Sequence, residues 1–202
     1  MLENINYALF YWINATPASS EGAIAAATFI AKEMILLVPL LAAAMWLWGP
    51  RHQVDAQRHL VLKMAIAIVL SLALSWVIGH LFPHARPFAV GAGYNFLHHA
   101  ADDSFPSDHG TVAFTFGFAF LFWHRRWSGA LLLAVAGAIA WSRVYLGVHW
   151  PLDMVGGFLA ALSGCLGAQL AWTFAGIPLY RRLRGLYRVC FALPIRKGWV
   201  RD

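Results

Sequence analysis

Five stretches of this chain, at about residues 24–48, 60–82, 106–124, 128–147 and 150–175, are apolar over the length needed to cross hydrocarbon, which takes about 20 residues as a helix. No water is available there to satisfy a backbone N–H or C=O, so each run has to close its hydrogen bonds on itself. The expectation is an all-α, polytopic membrane bundle of about five to six helices, built as a single domain over residues 1–202. Composition excludes the alternative of a very apolar soluble core. Hydrophobic residues make up 60% of the chain and charged residues 12%, where an ordinary soluble domain has roughly 25% charged.

The ends of the chain differ in kind. Residues 4–15 are aromatic-rich and too short to span, and read as part of an interfacial N-terminal helix within 1–22, ended near Pro17. The opening Met1-Leu2-Glu3-Asn4 lacks a basic segment, which argues against a cleaved signal peptide. Residues 24–175 form the predicted helical core, and 176–202 a basic tail whose Tyr187–Ile195 stretch is placed along the membrane surface. Cys165 and Cys190 do not make a disulfide framework.

A net charge of +6 invites a nucleic-acid reading, but the positions of the charges oppose it. Twelve of the fifteen basic residues fall in the 49–63 and 124–128 connections and the tail. Basic residues in alternate connections follow the positive-inside bias, so these ends are expected in the cytoplasm. The 83–105 loop and the turn near 148–150 then face outward. Trp46, Trp48, Trp123, Trp127 and Trp150 sit at predicted span ends, as interfacial anchors do.

That outward face gathers unusual side chains. Phe105-Pro106-Ser107-Asp108-His109 opens one span, with Pro106 placed in the first helical turn. The amides following it suit an anion, Ser107 adds a hydroxyl, and His109 an acid/base group. Asp108 is awkward beside an anion and is expected to point away or to hold a loop cation. As a purely structural alternative, Ser107-Asp108 is no more than a helix cap. The second phrase is Ser142-Arg143, five residues, His149, three residues, Asp153. Trp150-Pro151 reads as a helix start, so Asp153 reaches back to one nitrogen of His149 and turns the other outward. The alternative is a His-Asp pair that staples the helix start. Arg143 offers a fork of donors for phosphate oxygens, and Arg86 lies on the same face.

These phrases resemble the second and third signature motifs of the phosphatidic-acid-phosphatase superfamily, and Arg86-Pro87 resembles the end of its first. The likeness covers about residues 60–175. Chain length and the Tyr94-Asn95-Phe96-Leu97-His98-His99 loop resemble the bacterial, and in particular enterobacterial, undecaprenyl-diphosphatases of the bacitracin-resistance type. The resemblance implies an enzyme that removes the terminal phosphate of a polyprenyl diphosphate through a phosphohistidine, recycling the carrier lipid of the cell wall. Another lipid phosphatase or a lipid phosphotransferase is the alternative, and a transporter the rival of a different class. By the same resemblance His149 is the nucleophile, Asp153 orients it, and His109 serves as acid and then base. Arg86, Arg143 and Ser107 hold the phosphate oxygens. No metal or other cofactor is implied, and the partners are the lipid diphosphate and membrane lipids, with no nucleic acid. The predicted address is the bacterial inner membrane with the site facing the periplasm; oligomeric state is not legible in the residues.

Two departures stand out. Gly79 occupies the first motif's lysine position, with His80 one residue later as a partial replacement. Asp108 stands where the second motif carries glycine. Lys32 and Glu33 place two charges inside the first span, read either as substrate contacts or as an internal ion pair with another helix. His98, His99, Asp102 and Asp103 are expected to shape the outer loop.

Overall fold

The computed structural model describes residues 1–202. It contains eight α-helices: α1 (Leu2–Ile13), α2 (Glu21–Glu33), α3 (Leu37–Trp48), α4 (Val54–Leu81), α5 (Asp108–Trp123), α6 (Arg126–Tyr145), α7 (Pro151–Cys190) and α8 (Ala192–Arg196). There are no strands, only an isolated bridge between Ala85 and Asp103.

Four helical units are long and apolar enough to cross a membrane: 21–48, 51–81, 126–145 and 151–190. The shorter α5, 16 residues, stands among α4, α6 and α7 and packs against all three. Its buried Thr115 hydroxyl donates to the Thr111 carbonyl of the same helix at 2.7 Å and accepts from the Ser71 hydroxyl of α4 at 2.9 Å. These two hydroxyls are therefore paired between α4 and α5, as a low-dielectric interior favours, whereas the buried Thr111 hydroxyl one turn away makes no hydrogen bond.

Three local departures from the sequence reading have physical causes. The first predicted span is not one helix, because it breaks into a 3₁₀ turn at Met34–Leu36 between α2 and α3. Pro39, in the first turn of α3, has no N–H to continue the ladder, and its ring crowds the carbonyl one turn back. The last span continues well past residue 175, so that most of the predicted tail is helix. Tyr187 is buried there, its hydroxyl donating to the Arg201 carbonyl at 2.8 Å and its ring 4.7 Å from the Arg58 guanidinium. The Tyr187–Ile195 stretch is thus tied back onto the bundle. Trp150 is fully buried rather than interfacial, packed on Tyr7 and Phe10 of α1.

α1 docks on the site end of the bundle. Its Asn6 accepts from the Leu152 amide at 3.0 Å, satisfying a first-turn donor of α7. Asn14, at its end, donates to the Tyr94 and Tyr145 carbonyls at 2.9 and 3.0 Å and accepts from the Tyr94 amide at 2.7 Å. One side chain thereby pins the long outer loop to the end of α6. That loop is further held by Trp150, whose indole donates to Ala85 at 2.9 Å.

Candidate active site

The phrase from Ser142 to Asp153 folds as a helix end, a turn and a helix start. α6 ends at Tyr145, and Gly147 takes φ +80°, a conformation that a side chain resists. The chain then enters α7 with Trp150 as N-cap and Pro151 at the first position. This brings Arg143, His149 and Asp153 to one place, all buried.

Asp153 Oδ2 is the hub. It accepts from the Trp150 amide at 2.8 Å, from His149 Nδ1 at 3.1 Å and from the Ser104 hydroxyl. A carboxylate bonded this way keeps the proton on Nδ1 and leaves the lone pair of His149 on Nε2. Facing Nε2 are Arg86 Nη1 at 3.1 Å and Ser107 Oγ at 3.3 Å. The phrase from Phe105 to His109 supplies Ser107 as the N-cap of α5, its hydroxyl accepting from the Gly110 amide at 3.4 Å. Ser107 thus caps α5 and faces His149 with the same hydroxyl. Pro106 is not in the helix: it follows a cis peptide, and α5 begins at Asp108.

Arg86 is held on every side, donating to Asp102 at 2.7 Å, to the Val148 carbonyl at 2.9 Å and to the Asp103 carbonyl at 3.3 Å. Arg143 is the opposite case. It is 2% exposed, yet its Nε and Nη2 donate to nothing. Leaving buried donors unmade is costly, about 1–3 kcal/mol for each group and more when charged. A guanidinium held in that state is a ready receptor for an anion. His109, in the first turn of α5, lies within the electrostatic reach of Arg143, His149, His99 and Arg86.

Burial pushes the His149 imidazole down to about 4; the Asp153 hydrogen bond and charge oppose this, and the Arg143 and Arg86 cations add to it. The free side chain titrates near 6.5, so His149 is neutral at working pH. Burial works to raise the Asp102 carboxyl, but the Arg86 bond and charge overcome it and hold the group below its ordinary value.

The remaining predicted residues fall elsewhere. His80 is exposed, with Nδ1 against the Trp76 carbonyl at 2.9 Å, and it makes no hydrogen bond to the cluster. A side chain at Gly79 would stand 2.9 Å from the Phe105 carbonyl, so the loop that precedes Ser107 lies too close for the lysine of the pattern. Asp108 accepts from the Ser75 hydroxyl at 3.3 Å and makes no hydrogen bond to His149. Lys32 and Glu33 are exposed at the end of α2 and form no ion pair, which corrects the expectation of an internal pair. Of the loop residues, Asp102 grips Arg86 and the His99 ring lies 6.4 Å from that of His149, while His98 is exposed. Ser104 was not anticipated. It follows the Ala85–Asp103 bridge, a pairing that no sequence signal announces.

Residues 59–176 match the PAP2 superfamily. The chain is 66% identical over 202 residues, all of both chains, to YbjG of Escherichia coli (strain K12), whose name marks it provisionally as an undecaprenyl-diphosphatase. It is 30% identical over 158 residues, 78% of this chain and 79% of the other, to the undecaprenyl-diphosphatase BcrC of Bacillus subtilis (strain 168). Among solved structures, Aquifex aeolicus LpxE superposes with a TM-score of 0.64 at 25% identity, over 82% of this chain and 94% of that one.

Proposed function

Because the chain belongs to the PAP2 superfamily, we propose that it is an undecaprenyl-diphosphatase, hydrolysing the terminal phosphate of a polyprenyl diphosphate through a phosphohistidine. The observation that carries this reading is the setting of His149. Its Nδ1 is locked on Asp153, and its Nε2 faces Arg86 and Ser107, with the unpaired donors of Arg143 buried nearby.

The chemistry follows from those atoms. Nε2 attacks the terminal phosphorus in line, forming an N–P bond as the bridging P–O bond breaks. His109 gives its proton to the departing oxygen of the polyprenyl monophosphate. Arg86, Arg143 and Ser107 hold the three equatorial oxygens, where charge collects in the transition state. Asp153 stabilises the imidazolium that Nε2 phosphorylation creates. Water then attacks the same phosphorus, His109 takes its proton, and the N–P bond breaks to release phosphate.

The protein resides in the bacterial inner membrane with the site toward the periplasm, where it recycles the carrier lipid for cell-wall synthesis and lowers sensitivity to bacitracin. Support for that orientation comes from the basic residues, which gather at the end of the bundle opposite the site. The test is phosphate release by purified protein across polyprenyl and glycerolipid phosphates. Preference for the polyprenyl diphosphate is expected; equal or greater turnover of phosphatidic acid or phosphatidylglycerol phosphate would overturn the assignment.

A further inference from the structure

At the end of the bundle opposite His149, α7 carries Arg181, Arg184 and Arg188 beside His59 of α4, around a cavity of about 390 Å³. Asp153 and Arg184 are 31 residues apart on α7, about 46 Å along a helix at 1.5 Å per residue. That exceeds the hydrocarbon thickness of about 30 Å. The cavity is therefore not part of the catalytic site.

Its charge is incompletely answered. Arg188 is paired with Asp202 at 2.6 and 2.9 Å. Arg184 Nη1 is 3.3 Å from Asp55, which also accepts from the Tyr180 hydroxyl. Both carboxylates are more than half exposed. Arg181 has no carboxylate partner at all, and two solvent-shielded atoms, Arg184 Nε and His59 Nε2, bond to nothing. The His59 ring is meanwhile fixed between Trp172 and Tyr180, at centroid distances of 5.6 and 4.3 Å. Three guanidiniums facing two carboxylates, with donors left over and aromatic rings at their side, match the chemistry of a phosphoryl anion.

We infer that this cavity binds a phosphoryl anion, separately from the diphosphate site. In the orientation proposed above it lies at the cytoplasmic surface, where basic pockets between spans meet anionic headgroups. A phospholipid headgroup and free phosphate share this chemistry, and the two are separable by experiment.

Thermal unfolding of the purified full-length protein in neutral detergent is followed while phosphatidylglycerol or phosphatidylcholine is added to the micelles, and in parallel arms with inorganic phosphate. The wild type is stabilised by phosphatidylglycerol and not by phosphatidylcholine. In Arg181→Ala/Arg184→Ala the concentration needed rises about 10-fold or more, given the strength of each basic contact, while Arg126→Ala, at the same end but outside the cavity, behaves as wild type. Arg181→Ala alone removes a side chain without a carboxylate partner and serves if the double variant does not fold. A shift from inorganic phosphate that the Arg181 variants lose assigns the site to a soluble anion; a shift from phosphatidylglycerol alone assigns it to a headgroup. If both anions act equally on wild type and variants, the inference is wrong.

Discussion

Arg86 and His149, 63 positions apart, meet with Nη1 3.1 Å from Nε2. The same guanidinium is anchored by Asp102, Val148 and Asp103. The outer loop is thus fastened to His149 itself, while Arg143 is left with donors free. The two arginines that face one phosphate should respond differently to loss.

Arg143→Met is expected to lower kcat/KM by at least ~100-fold, as removal of one preorganised donor set does. Its thermal unfolding midpoint should stay equal or rise, because an unpaired buried charge is replaced by an apolar chain. Arg86→Met should lose activity and stability together. Parallel unfolding and kinetic measurements separate the two, and a destabilised Arg143→Met would contradict the reading of an unpaired side chain.

Asp153→Asn is expected to cut kcat by about 10⁴-fold with a much smaller change in KM, since the amide no longer fixes the proton on Nδ1. A change confined to KM would place Asp153 in binding instead.

Ser104→Ala removes one of three donors to Asp153 Oδ2. A single hydrogen bond to a charged group is worth about 1.5–3 kcal/mol net, so kcat should drop roughly 10- to 150-fold. Unchanged kcat would show that the amide and imidazole suffice.

The acid limb of kcat/KM should lie near pH 4 rather than 6.5. His149 loses its Nε2 lone pair only when the pH falls through its depressed folded value of about 4. Between that value and the unfolded one near 6.5, the unfolded chain binds more protons, so His149 makes stability rise with pH across this window. A limb at pH 6.5 in the wild type would mean that the imidazole titrates as if exposed.

Much of this was legible in the residues. The apolar runs required helices, and Trp150-Pro151 marked a helix start directly after His149. Ser104 escaped because nothing in its neighbours distinguishes a buried loop hydroxyl from a solvated one. His80 misled because the helix turn that carries it faces away once Gly79 packs on Phe105. The break at Met34 lay in Pro39, readable in principle but masked by an unbroken apolar run. Long-range partners such as Asp102 for Arg86 depend on a loop path that periodicity does not encode.

The central claim is the bond between His149 Nε2 and phosphorus. Purified enzyme mixed with undecaprenyl diphosphate labelled in its terminal phosphate, quenched within one turnover and digested, should carry acid-labile, base-stable label on the peptide containing His149. His149→Ala, still inserted in the membrane, should carry none and release no phosphate. Turnover with no label on His149, or label on His109 instead, would contradict the account.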